Sequence, residues 1–133
     1  MTEQWTKWEP APALIKKYWI DAVLDTADDF SILLSDANNA NKIQVIFENS
    51  VDAYRNADET YRYKLICDLN EKYGGDFYGS WTLFKVLNSE YLKWISEQSC
   101  TISDNRSLQH FSFIAADSVL DVVAPYEPMI KFM

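Results

Sequence analysis

Hydrophobic and polar residues alternate in the first third of the chain. The pattern is clearest in residues 42–47, where apolar side chains recur at every second position, the period of a half-buried strand. A weaker alternation covers 18–24, and the apolar run 30–34 follows it. The polar turns 25–29 and 36–41 separate these three segments, and they are too short for a parallel crossover. The pattern therefore predicts consecutive antiparallel strands.

Two later segments have the pattern of helices. Residues 56–59 (Asn-Ala-Asp-Glu) match a capping box, and Gly74-Gly75 supplies a left-handed stop. Between them an apolar ridge recurs at every fourth residue, namely Tyr61, Leu65, Leu69 and Tyr73. A second helix is predicted over 90–98, because Asn88 and Ser89 are good N-cap residues.

The other segments complete an α+β pattern. Strands are predicted at 51–55, 81–87, 108–115 and 119–124; loops are predicted at 76–80 and 99–107, and a tail after 124. The fold class is then α+β, with a mainly antiparallel sheet of about five or six strands and two helices packed on one face. A length of 133 residues predicts a single domain over 1–133. Residues 1–12 are expected to form a loosely ordered N-terminal arm pinned by Trp5 and Trp8.

Charge narrows the range of partners. The chain has 12 Lys and Arg against 20 Asp and Glu, a net charge of −8, and its basic residues are scattered. Nucleic acid is therefore excluded as a partner, since phosphate binding needs clustered cations. The acidic field instead favours another protein, of basic charge.

Sequence signals for export and membrane insertion are missing. The N-terminus is polar, and no apolar run approaches the length of a membrane span. Cys67 and Cys100 have no CxxC spacing, so neither a disulfide framework nor a thiolate metal site is predicted. We expect a cytoplasmic protein without a membrane partner.

No catalytic centre is predicted from the residue types. His110 is the only histidine and alternates with Phe111 and Phe113, which favours a structurally hydrogen-bonded or surface histidine. The acidic turn at Asp25, Asp28 and Asp29 lacks the ligand order of a calcium loop. We therefore predict no catalytic residues, no metal site and no cofactor.

The candidate binding residues are aromatic and acidic side chains near loops or element ends. Such a mixture could hold cationic side chains through salt bridges and cation–π contacts. The set is Tyr54, Asp58, Glu59, Asp76, Tyr78, Trp81, Glu90 and Trp94.

Several short segments carry a resemblance to a known family. They are Ala53-Tyr54-Arg55, Asp58-Glu59, residues 78–84 (Tyr-Gly-Ser-Trp-Thr-Leu-Phe), residues 88–92 (Asn-Ser-Glu-Tyr-Leu), residues 108–111 and residues 121–124. Over about residues 52–128 the chain resembles a small family of bacterial proteins without an established activity. That resemblance implies a bacterial cytosolic setting and no mechanism. In size, charge and aromatic content the chain is also similar in type to immunity proteins that neutralise secreted toxins.

Three functional hypotheses follow. The leading one is a non-enzymatic protein-binding module, in its most concrete form an immunity protein that covers a basic toxin. The first alternative is a small hydrolase or ligand-binding domain that uses carboxylates with His110. The second is a self-assembling subunit, a homodimer that buries its exposed rings in a two-fold interface.

Overall fold

The computed structural model describes residues 2–49 and 51–133. In these residues the strands are β1 (Gln4–Lys7), β2 (Trp19–Asp25), β3 (Asp29–Ser35), β4 (Lys42–Glu48), β5 (Ala53–Asp58), β6 (Leu83–Leu87), β7 (Gln109–Ile114), β8 (Ser118–Ala124) and β9 (Met129–Phe132). The α-helices are α1 (Tyr63–Tyr73), α2 (Asp76–Gly79) and α3 (Glu90–Gln98), and the 3-10 helices are Glu59–Arg62 and Ile102–Asn105. The fold is broadly α+β, as predicted.

The strands form two antiparallel sheets, whereas a single sheet of five or six strands was predicted. The five-stranded sheet has the order β1-β6-β7-β8-β5, and the four-stranded sheet has the order β2-β3-β4-β9. Alternation shows that each strand has a buried face but does not show which strands are neighbours. Short turns join β2, β3 and β4, whereas β5 pairs with the much later β8.

Two hydrophobic cores separate three layers. The first core lies between the sheets and includes Phe30, Ile32, Val45, Phe47, Phe111, Phe113, Leu120 and Val122. In the second, Ile66 and Leu69 of α1 pack against Phe84 and Ile114 on the outer face of the five-stranded sheet. The five-stranded sheet is therefore covered on both faces. None of the helices in the described part of the chain is long and apolar enough to cross a lipid bilayer.

The N-terminal arm differs from the expected loose segment. Strand β1 pairs with β6 from Gln4 opposite Leu87 to Lys7 opposite Phe84. Trp5 is buried with α1, and Trp8 is buried in the core between the sheets. β1 is therefore an edge strand, and Trp5 and Trp8 contribute to the two cores. Their indole rings supply the buried apolar area, and the polar residues around them hide this from a search for alternating residues.

The first helical region begins later than the capping-box prediction placed it. The predicted acceptor Asn56 lies inside β5, and Asp58 caps the 3-10 turn by accepting a bond of 2.9 Å from the Thr60 amide. Leu69 of the predicted ridge is buried, as expected, but Tyr61 precedes α1 and is 82% exposed. The prediction for Tyr61 was therefore wrong.

Most of the strands and one helix predicted from the sequence are present in the structure, and two predicted irregular segments contain regular elements. The strands predicted near 18–24, 30–34, 42–47, 81–87, 108–115 and 119–124 are confirmed, as is the helix 90–98, whose N-cap Ser89 accepts a bond from the Leu92 amide. Two predictions were wrong: the segment predicted as a loop at 76–80 contains α2, and the predicted tail contains β9. Both elements are only four residues long, too short for a periodic signal.

Lys17 connects the segment before β2 to α2 and to the five-stranded sheet. Its Nζ donates to the carbonyl oxygens of Tyr78, Trp81 and Ile114 at 2.7, 3.1 and 2.6 Å. Burial lowers the pKa of Lys17 to about 8, against a smaller raising effect of Glu59. One ammonium group therefore satisfies carbonyl groups of three different segments.

We expect Lys17→Met to lower the free energy of unfolding by about 2 kcal/mol, because three carbonyl oxygens lose a charged donor. Urea unfolding at neutral pH measures this change. Lys16→Met is the matched control, since Lys16 is exposed and its replacement should change the stability by less than about 0.5 kcal/mol. Equal effects of the two substitutions would contradict the role given to Lys17.

Candidate functional site

A buried polar pair lies on the helix-facing side of the five-stranded sheet. His110 of β7 and Asp121 of β8 are both buried, and Nε2 of the histidine is 2.7 Å from Oδ1 of the carboxylate. The strand register explains the contact: Ser112 is directly opposite Asp121, so His110, two residues before Ser112, shares a face with both. The predicted alternation of His110 with Phe111 and Phe113 is confirmed, and the histidine is a hydrogen-bonded, buried one.

Two arginines complete the surroundings of Asp121. Arg55 Nε and Arg62 Nη1 lie 2.7 and 2.6 Å from Oδ2 of Asp121. Burial alone would raise the pKa of Asp121, but the His110 hydrogen bond and the charges of His110, Arg62 and Arg55 outweigh it and hold the pKa well below its usual range. The carboxylate is therefore ionised in the folded protein at neutral pH.

Ser89 extends the chain of hydrogen bonds to α3. Its Oγ lies 2.7 Å from Nδ1 of His110 and accepts a bond of 3.0 Å from the Leu92 amide. The ionised Asp121 accepts from Nε2–H, and the contact between Nδ1 and the Ser89 hydroxyl continues the hydrogen bonds to α3. Every polar atom of the Ser89–His110–Asp121 chain then has a partner.

Aromatic rings enclose this chain of polar residues. The rings of Trp5 and Tyr91 meet the imidazole edge-to-face, at centroid distances of 6.1 and 5.7 Å. The Arg55 guanidinium lies 4.1 Å from the Tyr91 ring centroid, and Trp94 stacks against Tyr91. The rings exclude water, which strengthens the buried ionic contacts.

The Ser89–His110–Asp121 chain has the residue types of a hydrolytic triad but a different geometry. Ser89 is only 3% exposed, and its hydroxyl oxygen already accepts from the Leu92 amide at the start of α3. A nucleophilic serine needs an approach for the substrate and a free donor group for the oxyanion. The arrangement is therefore suited to joining α3, β7 and β8, and less suited to attack on a substrate.

The eight predicted binding residues occupy separate parts of the surface. Tyr54, Asp58, Asp76, Glu90 and Trp94 are exposed, and Glu59, Tyr78 and Trp81 are half-buried. All four rings have partners inside the protein: Tyr54 packs against Phe30, Tyr78 accepts a bond from Asn70, Trp81 donates to the Trp8 carbonyl, and Trp94 stacks on Tyr91. Among the eight, Asp58 and Glu59 share one cleft.

That acidic cleft is formed by Asp58, Glu59, Asp117 and Tyr63. It has a volume of about 440 Å³, and a neighbouring cleft of about 300 Å³ shares Asp58 and Asp117. The Glu59 amide donates to the Asp117 carbonyl at 3.0 Å, which holds the start of the 3-10 helix against the β7–β8 turn. Asp117 was missed as a site residue, because only long-range contacts bring it to Asp58: this bond and the pairing of Asp58 with Ser118 in β5 and β8.

The carboxylates of the acidic cleft have no close cationic partner in the described residues, and Glu59 has only a longer-range electrostatic interaction with Lys17. Within the described residues, none of its three carboxylates forms an ion pair, and the ring of Tyr63 is largely exposed beside them. Hydrogen bonds from the Thr60 amide and hydroxyl lower the pKa of Asp58. The cleft therefore presents three negative charges and an aromatic face to solvent.

Metal-binding clusters and cysteines are the other features of the described residues that bear on chemistry. Residues 2–49 and 51–133 contain no group of three or more His, Cys, Asp or Glu side chains arranged to hold a metal ion. Cys67 and Cys100 are exposed free cysteines.

In comparisons with known proteins, no family model matches the chain, and no curated protein and no solved structure matches it significantly.

Proposed function

We propose that this protein is a protein-binding module and that its acidic cleft receives basic side chains of the partner. The observation that carries the proposal is the convergence of Asp58, Glu59 and Asp117, none of which forms a close ion pair within the described residues, beside the exposed ring of Tyr63. A lysine or arginine entering the cleft gains both ion pairs and a cation–π contact. The net charge of −8 would speed the encounter with a basic protein.

In its most concrete form, the proposal is an immunity protein that covers a basic toxin. Such a protein needs to occupy its partner's surface and needs no reactive group of its own. The purified protein should therefore bind the basic toxin encoded beside its own gene, and the affinity should fall as salt is raised. Titration calorimetry at two salt concentrations measures both properties. Absence of binding would refute the immunity form of the proposal.

The combined substitution Asp58→Asn, Glu59→Gln and Asp117→Asn should weaken that binding roughly 30-fold, since three charge contacts are lost. The matched control replaces three exposed carboxylates elsewhere, Glu9, Glu71 and Glu97, with Gln and has the same net charge. The control should retain most of the affinity. If both triple variants bind equally weakly, overall charge and not the acidic cleft determines binding.

The hydrolase alternative makes a different demand. It is favoured by the continuous Ser89–His110–Asp121 hydrogen bonds and opposed by their burial. A folded His110→Gln variant that keeps the full function of the protein would contradict any mechanism that needs an imidazole.

A further inference from the structure

The outer face of the four-stranded sheet, turned away from the five-stranded sheet, carries an apolar strip. The strip consists of Leu24, Leu33, Ile46 and Met129; Leu24, Ile46 and Met129 lie in one row across the strands, with Ser31 between Leu24 and Ile46. Leu24 is 44% and Met129 is 52% exposed. Their strand neighbours, such as Ile32 and Val45, point into the core, and the described helices α1 and α3 lie on the other sheet. The described helices therefore leave the strip uncovered, with Leu24 and Met129 exposed and Leu33 and Ile46 half-buried.

Opposite charges flank the apolar strip at its two ends. At one end Asp29 of β3 lies directly opposite Glu48 of β4, a like-charge pair that is unfavourable when left alone. At the other end lies Lys42 of β4, while Lys131 of β9 lies opposite Gln44, in the row of Leu33. Within the part of the chain that the structure describes, none of these four side chains forms an ion pair. By strand alternation all four share the outer face with the strip.

We propose that this face binds a second copy of the chain in a two-fold dimer. For two sheets packed face to face, a two-fold axis that lies between them and runs across the strands reverses the strand direction of the second copy. The end with Asp29 and Glu48 of each copy then meets the end with Lys42 of the other. The apolar strips meet in the middle.

A second copy fits this face better than an unrelated partner, because the face is complementary to itself. Each copy supplies both the acidic and the basic end, so both ends are neutralised at once. The four strands and seven residues of the sheet give a contact of roughly 450 Å² in projection per copy. This is below the usual area of a stable interface, and the net charge of −8 adds long-range repulsion. The dimer therefore depends on protein concentration.

Sedimentation equilibrium of the full chain, over about 5 to 500 µM at moderate salt, tests the dimer. Wild type should shift from monomer to dimer within this range. Lys42→Glu and Glu48→Lys should each weaken dimerisation at least tenfold, because each brings like charges together across the interface. The combined variant Lys42→Glu with Glu48→Lys should recover to within about threefold of wild type, because both ends are exchanged together.

Lys16→Glu is the matched control, since Lys16 is exposed outside the sheets and the charge change equals that of Lys42→Glu. This variant should dimerise like wild type, and circular dichroism checks that every variant is folded. A wild type that stays monomeric at the highest concentration would overturn the proposal. So would a combined variant no better than the single ones, or a control as damaging as Lys42→Glu. The acidic-cleft variants should still dimerise, so the two proposals fail independently.

Discussion

Replacing Asp121 with Asn should lower the free energy of unfolding by about 3 kcal/mol at neutral pH, because it removes a buried carboxylate that three donors share. Nε2–H of His110, Arg55 and Arg62 all donate to the two carboxylate oxygens of Asp121. An asparagine has one oxygen, and its amide nitrogen would face another donor. The partial exposure of the Arg55 side chain, 45%, keeps the loss at the lower end for a buried ion pair.

Ser112→Ala is the matched control for Asp121→Asn. Ser112 is directly opposite Asp121 in the strand register and is equally buried, but its hydroxyl has no hydrogen-bond partner in the described residues. Removing an unsatisfied buried hydroxyl should be neutral or slightly stabilising. Urea unfolding followed by circular dichroism measures both variants. A loss of stability in Ser112→Ala comparable to that in Asp121→Asn would mean that packing, and not charge, is responsible.

The stability difference between wild type and Asp121→Asn should depend on pH. The pKa of Asp121 is lower in the folded state than its ordinary value of 3.8, so its stabilising effect is complete above that value and is lost as the pH falls towards the folded-state pKa. The contribution of the ionised Asp121 to the difference in unfolding free energy between wild type and Asp121→Asn should therefore shrink as the pH falls below about 4. A difference that does not depend on pH would contradict an ionised Asp121.

Local elements of the fold could be predicted because their signals are local. The alternation in β4 and the Ser89 cap of α3 depend on residues within one element, and both are present as predicted. The division into two sheets could not be predicted, because the pairing of β5 with β8 joins segments about 65 residues apart. Alternation specifies the buried face of a strand but leaves its neighbours open.

The buried network had a signal in the sequence that the alternation argument did not use. Asp121 stands in the middle of the apolar strand 118–124, and an acidic residue in such a strand is seldom buried without a cationic partner. That signal indicates a paired charge but does not identify His110, Arg55 and Arg62, which come from three other elements. Likewise Asp58 and Glu59 were candidates by composition, whereas Asp117 joins them only through the folded chain.

Trp8→Ala should lower the free energy of unfolding by about 3 to 4 kcal/mol, which would show that the N-terminal segment is an integral part of the core. The Trp8 ring is buried between the sheets, with its centroid 5.1 Å from that of Phe111 and 6.4 Å from that of Phe113. Loss of the ring leaves a cavity that the backbone around Trp8 cannot close. The Trp8 amide donates to the Leu83 carbonyl, and the Trp8 carbonyl accepts from the Trp81 indole, so this backbone is held in place.

Glu9→Ala provides the comparison for Trp8→Ala, because Glu9 is the next residue, is exposed and lies in the same segment. It should change the unfolding free energy by less than about 0.5 kcal/mol. A loosely ordered arm would make both substitutions equally mild in urea unfolding, since a ring that is mostly in solvent contributes little to stability. A core position makes only the tryptophan substitution costly, because the cavity lies where both sheets meet and neither can collapse into it without breaking strand pairs.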